Sequence, residues 1–345
     1  MSLINLLRKH NRKLLFTTPS HGQKFFIFNK FRQFYKYDIS ETDAHNPQEA
    51  LTNAEKRASK IYGTNYTCFL TNGSTSGIIA SVLSCTNPND KVLIWADAHP
   101  SHHNAVKLAG CKPIYYDLKT IDEWGVPESF KVEDLEECLK KDDIKAVIVT
   151  SPSYEGIISD IKSLKNVCKK YNTYLIVDEA HGALYPFSNK LPESAVRISD
   201  FTVQSLHKTA GGLNPTALLH SNCEIDPANA LSMINTTSPS YPILASIEAN
   251  INYLNSKKGR QDIDTLIENI EHLKNVCSSV DFGGDDPLKI LIKKAGLSGL
   301  KLSEILFEKF GIEDEKTNDM STMLLCGIGT NKRKLDRLEK ALKRL

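Results

Sequence analysis

Tyr174-Leu175-Ile176-Val177-Asp178-Glu179-Ala180-His181-Gly182 passes from four apolar residues straight into two carboxylates and a histidine. No polar residue alternates with the apolar ones, which is the pattern of a strand covered on both faces. The same signature recurs on either side: Tyr66–Leu70, Lys91–Trp95, Pro113–Tyr116 and Ala146–Thr150 before it, Phe201–Gln204 and Ala217–Leu219 after it. Helical patterns fill the intervals at Ser76–Leu83, Pro100–Leu108, Val132–Lys140 and Ile161–Lys170. This alternation predicts an α/β fold with a seven-stranded, mostly parallel sheet in a large domain. Ligands of such sheets bind outside the carboxyl ends of the strands, so the residues after each run are the candidates for function.

Three of those segments carry chemistry. After the first run, Thr71-Asn72-Gly73-Ser74-Thr75-Ser76-Gly77 opens directly into a helix. Small residues let backbone N–H groups and hydroxyls approach an anion, and a helix N-terminus adds its positive dipole end. The same residues are also ordinary turn and N-cap residues. After the fifth run, Asp178 is costly to bury unless it meets a positive partner, and a protonated pyridine nitrogen is one. DEAH is also a helicase motif, but that reading needs a GxxxxGK[ST] loop, which the sequence lacks. A metal site would want more ligands clustered nearby, and the plain alternative is an N-cap satisfied by its own helix. After the sixth run, Ser205-Leu206-His207-Lys208-Thr209 is followed by Gly211-Gly212. A Schiff-base lysine must be neutral to attack a carbonyl, and burial lowers its pKa. Ser205 and His207 can donate to a phosphate. A lone lysine after a strand is usually a solvated charge. The pairing of Asp178 with Lys208, 30 residues on and at an adjacent strand end, makes a set with the upstream anion loop.

Several segments carry a resemblance: TNGSTSG (71–77), DAHPSHHNAVKLAGCKPIYY (97–116), TSPSYEGIISDIKSL (150–164), VDEAHGALYPF (177–187), VQSLHKTAGGLNPTALLH (203–220) and TTSPSYPILASIE (236–248). TPSHGQ (18–23), YDISETD (37–43) and DPLKILIKKAGLSG (286–299) add to it. The chain resembles the bacterial ornithine/lysine/arginine decarboxylases, pyridoxal-phosphate enzymes of the aspartate-aminotransferase fold (fold type I). The resemblance implies that Lys208 holds pyridoxal 5'-phosphate as a Schiff base and that Asp178 pairs with its pyridine nitrogen. It assigns Ser74, Thr75, Ser205 and His207 to the phosphate, His99 to stacking on the ring, and His181 to the ring's other surroundings. His102 and His103, which with His99 have the look of a metal cluster, read as incidental helix residues. Ala96-Asp97-Ala98 stands where the family often has an Arg before the stacking histidine, and Ser153 where it usually has Thr. Those departures bear on substrate identity rather than on cofactor binding. Family members generally continue into a further C-terminal domain, so a short form is implied.

The 345 residues, 41% apolar, suggest two domains with sizeable cores. Expected divisions are an N-terminal arm (1–40), a cofactor-binding large domain (41–255), and a connecting helix with a small α+β domain (256–345). Lys+Arg 43 against Asp+Glu 41 gives no argument for nucleic acid or membrane. Met1 to Tyr37 holds no Asp or Glu, but its aromatics (Phe25, Phe26, Phe28, Phe31, Phe34, Tyr35) point to packing on the body or a partner subunit. Eight cysteines without a CxxC pair read as reduced thiols, and with no signal peptide or membrane span a cytoplasmic protein is expected. A homodimer with shared sites follows from the resemblance, with 236–241 reaching a neighbour's phosphate. Pyridoxal phosphate supplies the electron sink and the protein selects the bond that breaks. A transaminase clamps the substrate carboxylate with an Arg, yet none of Arg197, Arg260, Arg333, Arg337 and Arg344 lies in a site segment. That favours decarboxylation of a basic amino acid, with Lys208 or His99 returning a proton to Cα and Glu155 or Glu179 available to a cationic side chain. The same residues also suit an aminotransferase or lyase on an unusual amino acid, or a non-catalytic cofactor-binding protein.

Overall fold

A computed structural model describes residues 14–16 and 49–345. The aromatic cluster of the arm and the segments 18–23 and 37–43 lie outside the described residues. After helix α1 (Glu49–Tyr62), the strands are β1 (Tyr66–Leu70), β2 (Lys91–Trp95), β3 (Lys112–Tyr116), β4 (Ile144–Thr150), β5 (Tyr174–Asp178), β6 (Phe201–Ser205) and β7 (Ala217–Ser221). The crossovers are α2 (Gly73–Cys85), α3 (Pro100–Leu108), α4 (Val132–Lys141) and α5 (Ile161–Lys170). One sheet of seven strands results, ordered β1-β7-β6-β5-β4-β2-β3. Neighbours from β6 through β3 are parallel, whereas β7 runs antiparallel to both β6 and β1. The expected mostly parallel sheet is therefore present.

The strands alternate across it as their period of two requires. On β5, Ile176 joins a core with Ile78 and Val82 of α2 and Ala105 of α3. Leu175 and Val177 face the opposite core, with Leu135 of α4 and Leu164 of α5. All of these are buried, and each such side chain contributes about 1.5–3 kcal/mol. Close approach of α2 needs Gly77, because a Cβ there would stand 2.8 Å from both Leu70 Cδ1 and Val203 Cγ1. That contact brings the N-terminus of α2 to the end of β1 and β6. Three strands outrun their apolar runs: β5 continues through Asp178, β6 through Ser205 and β7 through Ser221. On β7 the polar residues are accommodated because their neighbours satisfy them. His220 Nδ1 lies 2.9 Å from Thr67 Oγ1, and Ser221 Oγ donates to the Ile225 carbonyl at 2.9 Å.

Two long helices follow, α6 (Tyr241–Asn255) and α7 (Lys257–Val276). They lead to β8 (Asp281–Gly283), β9 (Lys289–Lys293), α8 (Gly299–Phe310), β10 (Lys316–Thr317), β11 (Thr322–Leu325) and α9 (Lys332–Leu342). The four strands form an antiparallel sheet ordered β8-β9-β11-β10. Its core contains Ile290, Leu306, Leu324 and Leu338, with Ile267 and Ile270 of α7. Phe16 is buried in the same cluster, and Leu14–Leu15 pairs in parallel with Ile312–Glu313. Among the described residues no helix is long and apolar enough to cross a membrane. All eight cysteines are free; five are buried, while Cys111, Cys138 and Cys223 are partly exposed.

Candidate active site

The register of the sheet aligns the candidate residues at one end. Asp178 pairs with Thr150 on one side and Val203 on the other, and Ser205, two residues on, pairs with Ala217. Asp178 is buried. His102 Nε2, from α3, donates to its Oδ2 at 3.0 Å, and the Ala180 N–H to its Oδ1 at 3.1 Å. Burial alone would raise this carboxyl, but the hydrogen bond and electrostatic pull of His102, together with Lys208 and the Ala180 N–H, hold it below its ordinary range. The carboxylate is thus ionised and suited to a positive partner.

Lys208 follows β6 in the short helix Leu206–Thr209. Its Nζ lies 3.1 Å from His181 Nε2. On the far side of the same ring, Lys289 Nζ lies 2.6 Å from His181 Nδ1. His181 and Lys289 are buried. Burial lowers the Lys208 amine, with Asp178 and Glu315 opposing the shift. Burial and the two lysines hold His181 well below the usual imidazole range, so the ring is neutral. The Tyr154 ring packs edge-on to His181, 4.8 Å between centroids, and its hydroxyl donates to Glu315 Oε1 at 2.6 Å.

The remaining candidates surround this pair. His99 caps α3, accepting the Ser101 N–H at Nδ1 (3.2 Å), and its side chain is exposed. Burial lowers its imidazole, and Asp178, Lys208 and His102 all act on it electrostatically. Ser74 and Thr75 stand on the first turn of α2, Ser74 partly buried and Thr75 exposed. His207 Nδ1–H donates to the Thr216 carbonyl at 3.0 Å, leaving Nε2 for another partner. Ser205 is fully buried, yet its Oγ has no hydrogen-bond partner among the described residues. A buried hydroxyl left unpaired costs about 1–3 kcal/mol. A phosphate acceptor between Ser205 and the open N–H groups at the start of α2 would remove that cost. An ionised carboxylate, a lysine with a lowered pKa and an unpaired buried donor therefore fit pyridoxal phosphate.

The family described as Orn/Lys/Arg decarboxylase, major domain, matches residues 3–284. The chain belongs to the ornithine/lysine/arginine decarboxylase family. It is 31% identical to the uncharacterized protein YaaO of Bacillus subtilis (strain 168), over 96% of this chain and 74% of that one. It is 26% identical to an arginine decarboxylase of Bacillus cereus, over 99% of this chain and 82% of that one. In structure it resembles the Francisella novicida lysine decarboxylase LdcF, with a TM-score of 0.77 at 19% identity, over 92% of this chain and 54% of that chain. The chain thus spans about half the length of that lysine decarboxylase. The shared architecture is fold type I of the pyridoxal-phosphate enzymes.

Within this family member, three sequence expectations need correction. His102 is not an incidental helix residue: it is fully buried and is the partner of Asp178. Sequence spacing could not show this, because His102 and Asp178 are 76 residues apart and meet only in the folded chain. Glu179 does not face a substrate entrance. It is buried, and accepts from Ser194 Oγ, the Ala195 N–H and Gln204 Nε2 at 2.7, 2.7 and 2.6 Å. Glu155 is buried too, 2.5 Å from Lys316 Nζ. Lys289 and Tyr154 were missed. The signal for Lys289 was present, since Asp286-Pro287-Leu288-Lys289-Ile290-Leu291-Ile292 puts a charge inside an apolar run, where it is costly without a partner. Among the described residues no group of three or more His, Cys, Asp or Glu is arranged to hold a metal ion.

Proposed function

We propose that this chain is a pyridoxal-phosphate-dependent amino-acid decarboxylase acting on a basic amino acid (arginine, lysine or ornithine) in the cytoplasm. The observation that carries the reading is the pairing of an ionised Asp178 with a partly buried Lys208 of lowered pKa at the carboxyl end of one sheet. Family membership and a similarity to arginine decarboxylases support the reaction class. When bound, pyridoxal phosphate supplies the electron sink for a carbanion at Cα.

The chain's residues then have distinct tasks. Lys208, through its ε-amine, would hold the cofactor covalently and afterwards return a proton to Cα. Asp178, oriented by His102, would keep the pyridine nitrogen protonated. Ser205, His207 Nε2, Ser74, Thr75 and the N–H groups of α2 would bind the phosphate. His99 would lie against the ring face as a second proton donor. Three arginines are engaged on backbone carbonyls away from these groups: Arg197 on Tyr62, Arg260 on Phe187 and Arg337 on Phe310. This supports decarboxylation over a transaminase's carboxylate clamp.

The test has two arms. Borohydride reduction of the cofactor-loaded protein should fix the label on the peptide holding Lys208, and a label on any other lysine overturns that assignment. Mass spectrometry after incubation with each standard amino acid should show an amine lighter by CO2 from a basic substrate. A keto acid together with aminated cofactor would instead identify a transaminase.

A further inference from the structure

His181 is held between two amines. Lys208 Nζ faces Nε2 at 3.1 Å and Lys289 Nζ faces Nδ1 at 2.6 Å. A neutral imidazole has one N–H and one lone pair. Two ammonium groups cannot both donate to it, so one lysine donates as the cation and the other accepts as a free amine. The distances rank the two. The 2.6 Å contact is in the charge-assisted range, whereas 3.1 Å is that of a neutral hydrogen bond. More carboxylates act on Lys289 than on Lys208. Asp178, on the Lys208 side, is already bonded by His102 and the Ala180 N–H. On the other side Asp286 and Glu155 favour the charged form of Lys289, opposed by Lys208, while Glu315 favours the charged form of both lysines.

We propose that Lys289 is a positioning residue for Lys208: its ammonium donates to His181 Nδ1, places the ring proton on Nε2, and so holds the Lys208 amine unprotonated. A free amine is the form needed to bond to a carbonyl carbon. The inference rests on Lys208 being the cofactor lysine. Burial brings Lys289 down to about 8, against the pull of Asp286, Glu315 and Glu155. The backbone makes room for it at Gly156, where a Cβ would stand 2.7 Å from Lys289 Cγ.

The tautomer can be read directly in the full chain freed of cofactor. Nitrogen-15 histidine spectra at pH 7, with His181 assigned by the His181→Asn variant, should show an Nε2–H ring with an unprotonated Nδ1. An Nδ1–H ring overturns the proposal, and this measurement needs no lysine variant to fold. The second readout is the pH profile of Lys208 acetylation, followed by peptide mass spectrometry. In Lys289→Met the Lys208 midpoint should rise by about one pH unit or more, since ring donor and neighbouring charge are both lost. Lys289→Arg should keep the wild-type midpoint, because a guanidinium donates and remains charged. An unchanged midpoint in folded Lys289→Met assigns Lys289 a purely structural role and overturns the proposal. If instead the tautomer and midpoints behave as expected but borohydride labels another lysine, it is the cofactor assignment that fails.

Discussion

Asp178 sets the electrostatics of the site. It is buried yet ionised because His102 and the Ala180 N–H bind both of its oxygens. Asp178→Asn keeps an acceptor for His102, so the fold should persist. It removes the charge that keeps a pyridine nitrogen protonated, and turnover should fall by about 10²–10³, the scale seen when one preorganised electrostatic group is lost. Near-normal turnover would remove Asp178 from the mechanism. Stability gives a second check with a definite sign. A carboxyl held low in the folded state contributes stability above its unfolded pKa and loses it as pH falls through the folded value. Wild type should therefore unfold at higher denaturant than Asp178→Asn at pH 7, and the two midpoints should converge below the ordinary carboxylate range. At this scale the sequence was half legible. Asp178 and Lys208 stood out because each follows an apolar run. His102 did not, because its partner lies 76 residues away, and the charge of Lys289 inside an apolar run could not name a partner 108 residues away.

Among the elements, those that follow apolar periodicity were read nearly to their ends, while those closed by polar residues were read short. The sixth run reads to Gln204 in the sequence, yet β6 continues through Ser205. The reason is tertiary, since the Ser205 N–H donates to the Ala180 carbonyl at 3.2 Å. Turn geometry was similarly hidden. Gly156 holds φ +96°, outside what side chains favour, and faces the Lys289 stem. Gly156→Ala should cost about 1–3 kcal/mol in backbone strain, with a further cost as the Cβ displaces Lys289. Thermal unfolding should register that loss. The acetylation midpoint of Lys208 should move upward with it, as in Lys289→Met. A variant as stable as wild type would show that the 153–157 turn relaxes freely.

For the whole molecule, the deciding question is whether one chain completes a site. The loop 235–240 leads from the short helix Ala228–Ile234 into α6, and Thr236, Thr237 and Ser238 are exposed on it. Met233, at the end of that short helix, is 68% exposed. A cavity of about 390 Å³ beside the loop is lined by apolar residues (Leu51, Phe69 and Pro239 among them) and by polar ones, including Glu55, Thr71 and Thr236. Hydroxyls at the tip of an exposed loop are suited to donate to a phosphate held by another subunit. A homodimer built through this region would bury Met233 and bring Thr236–Ser238 to the partner's α2. Light scattering of the cofactor-loaded protein should give twice the 38.5 kDa chain mass. Met233→Asp should shift that mass toward the monomer, because a carboxylate buried without a partner opposes association. If the interface completes the site, the dissociated variant should also bind cofactor more weakly, and added pyridoxal phosphate should restore the dimer by mass action. A stable monomer that turns over substrate at dilute concentration would show that each chain works alone.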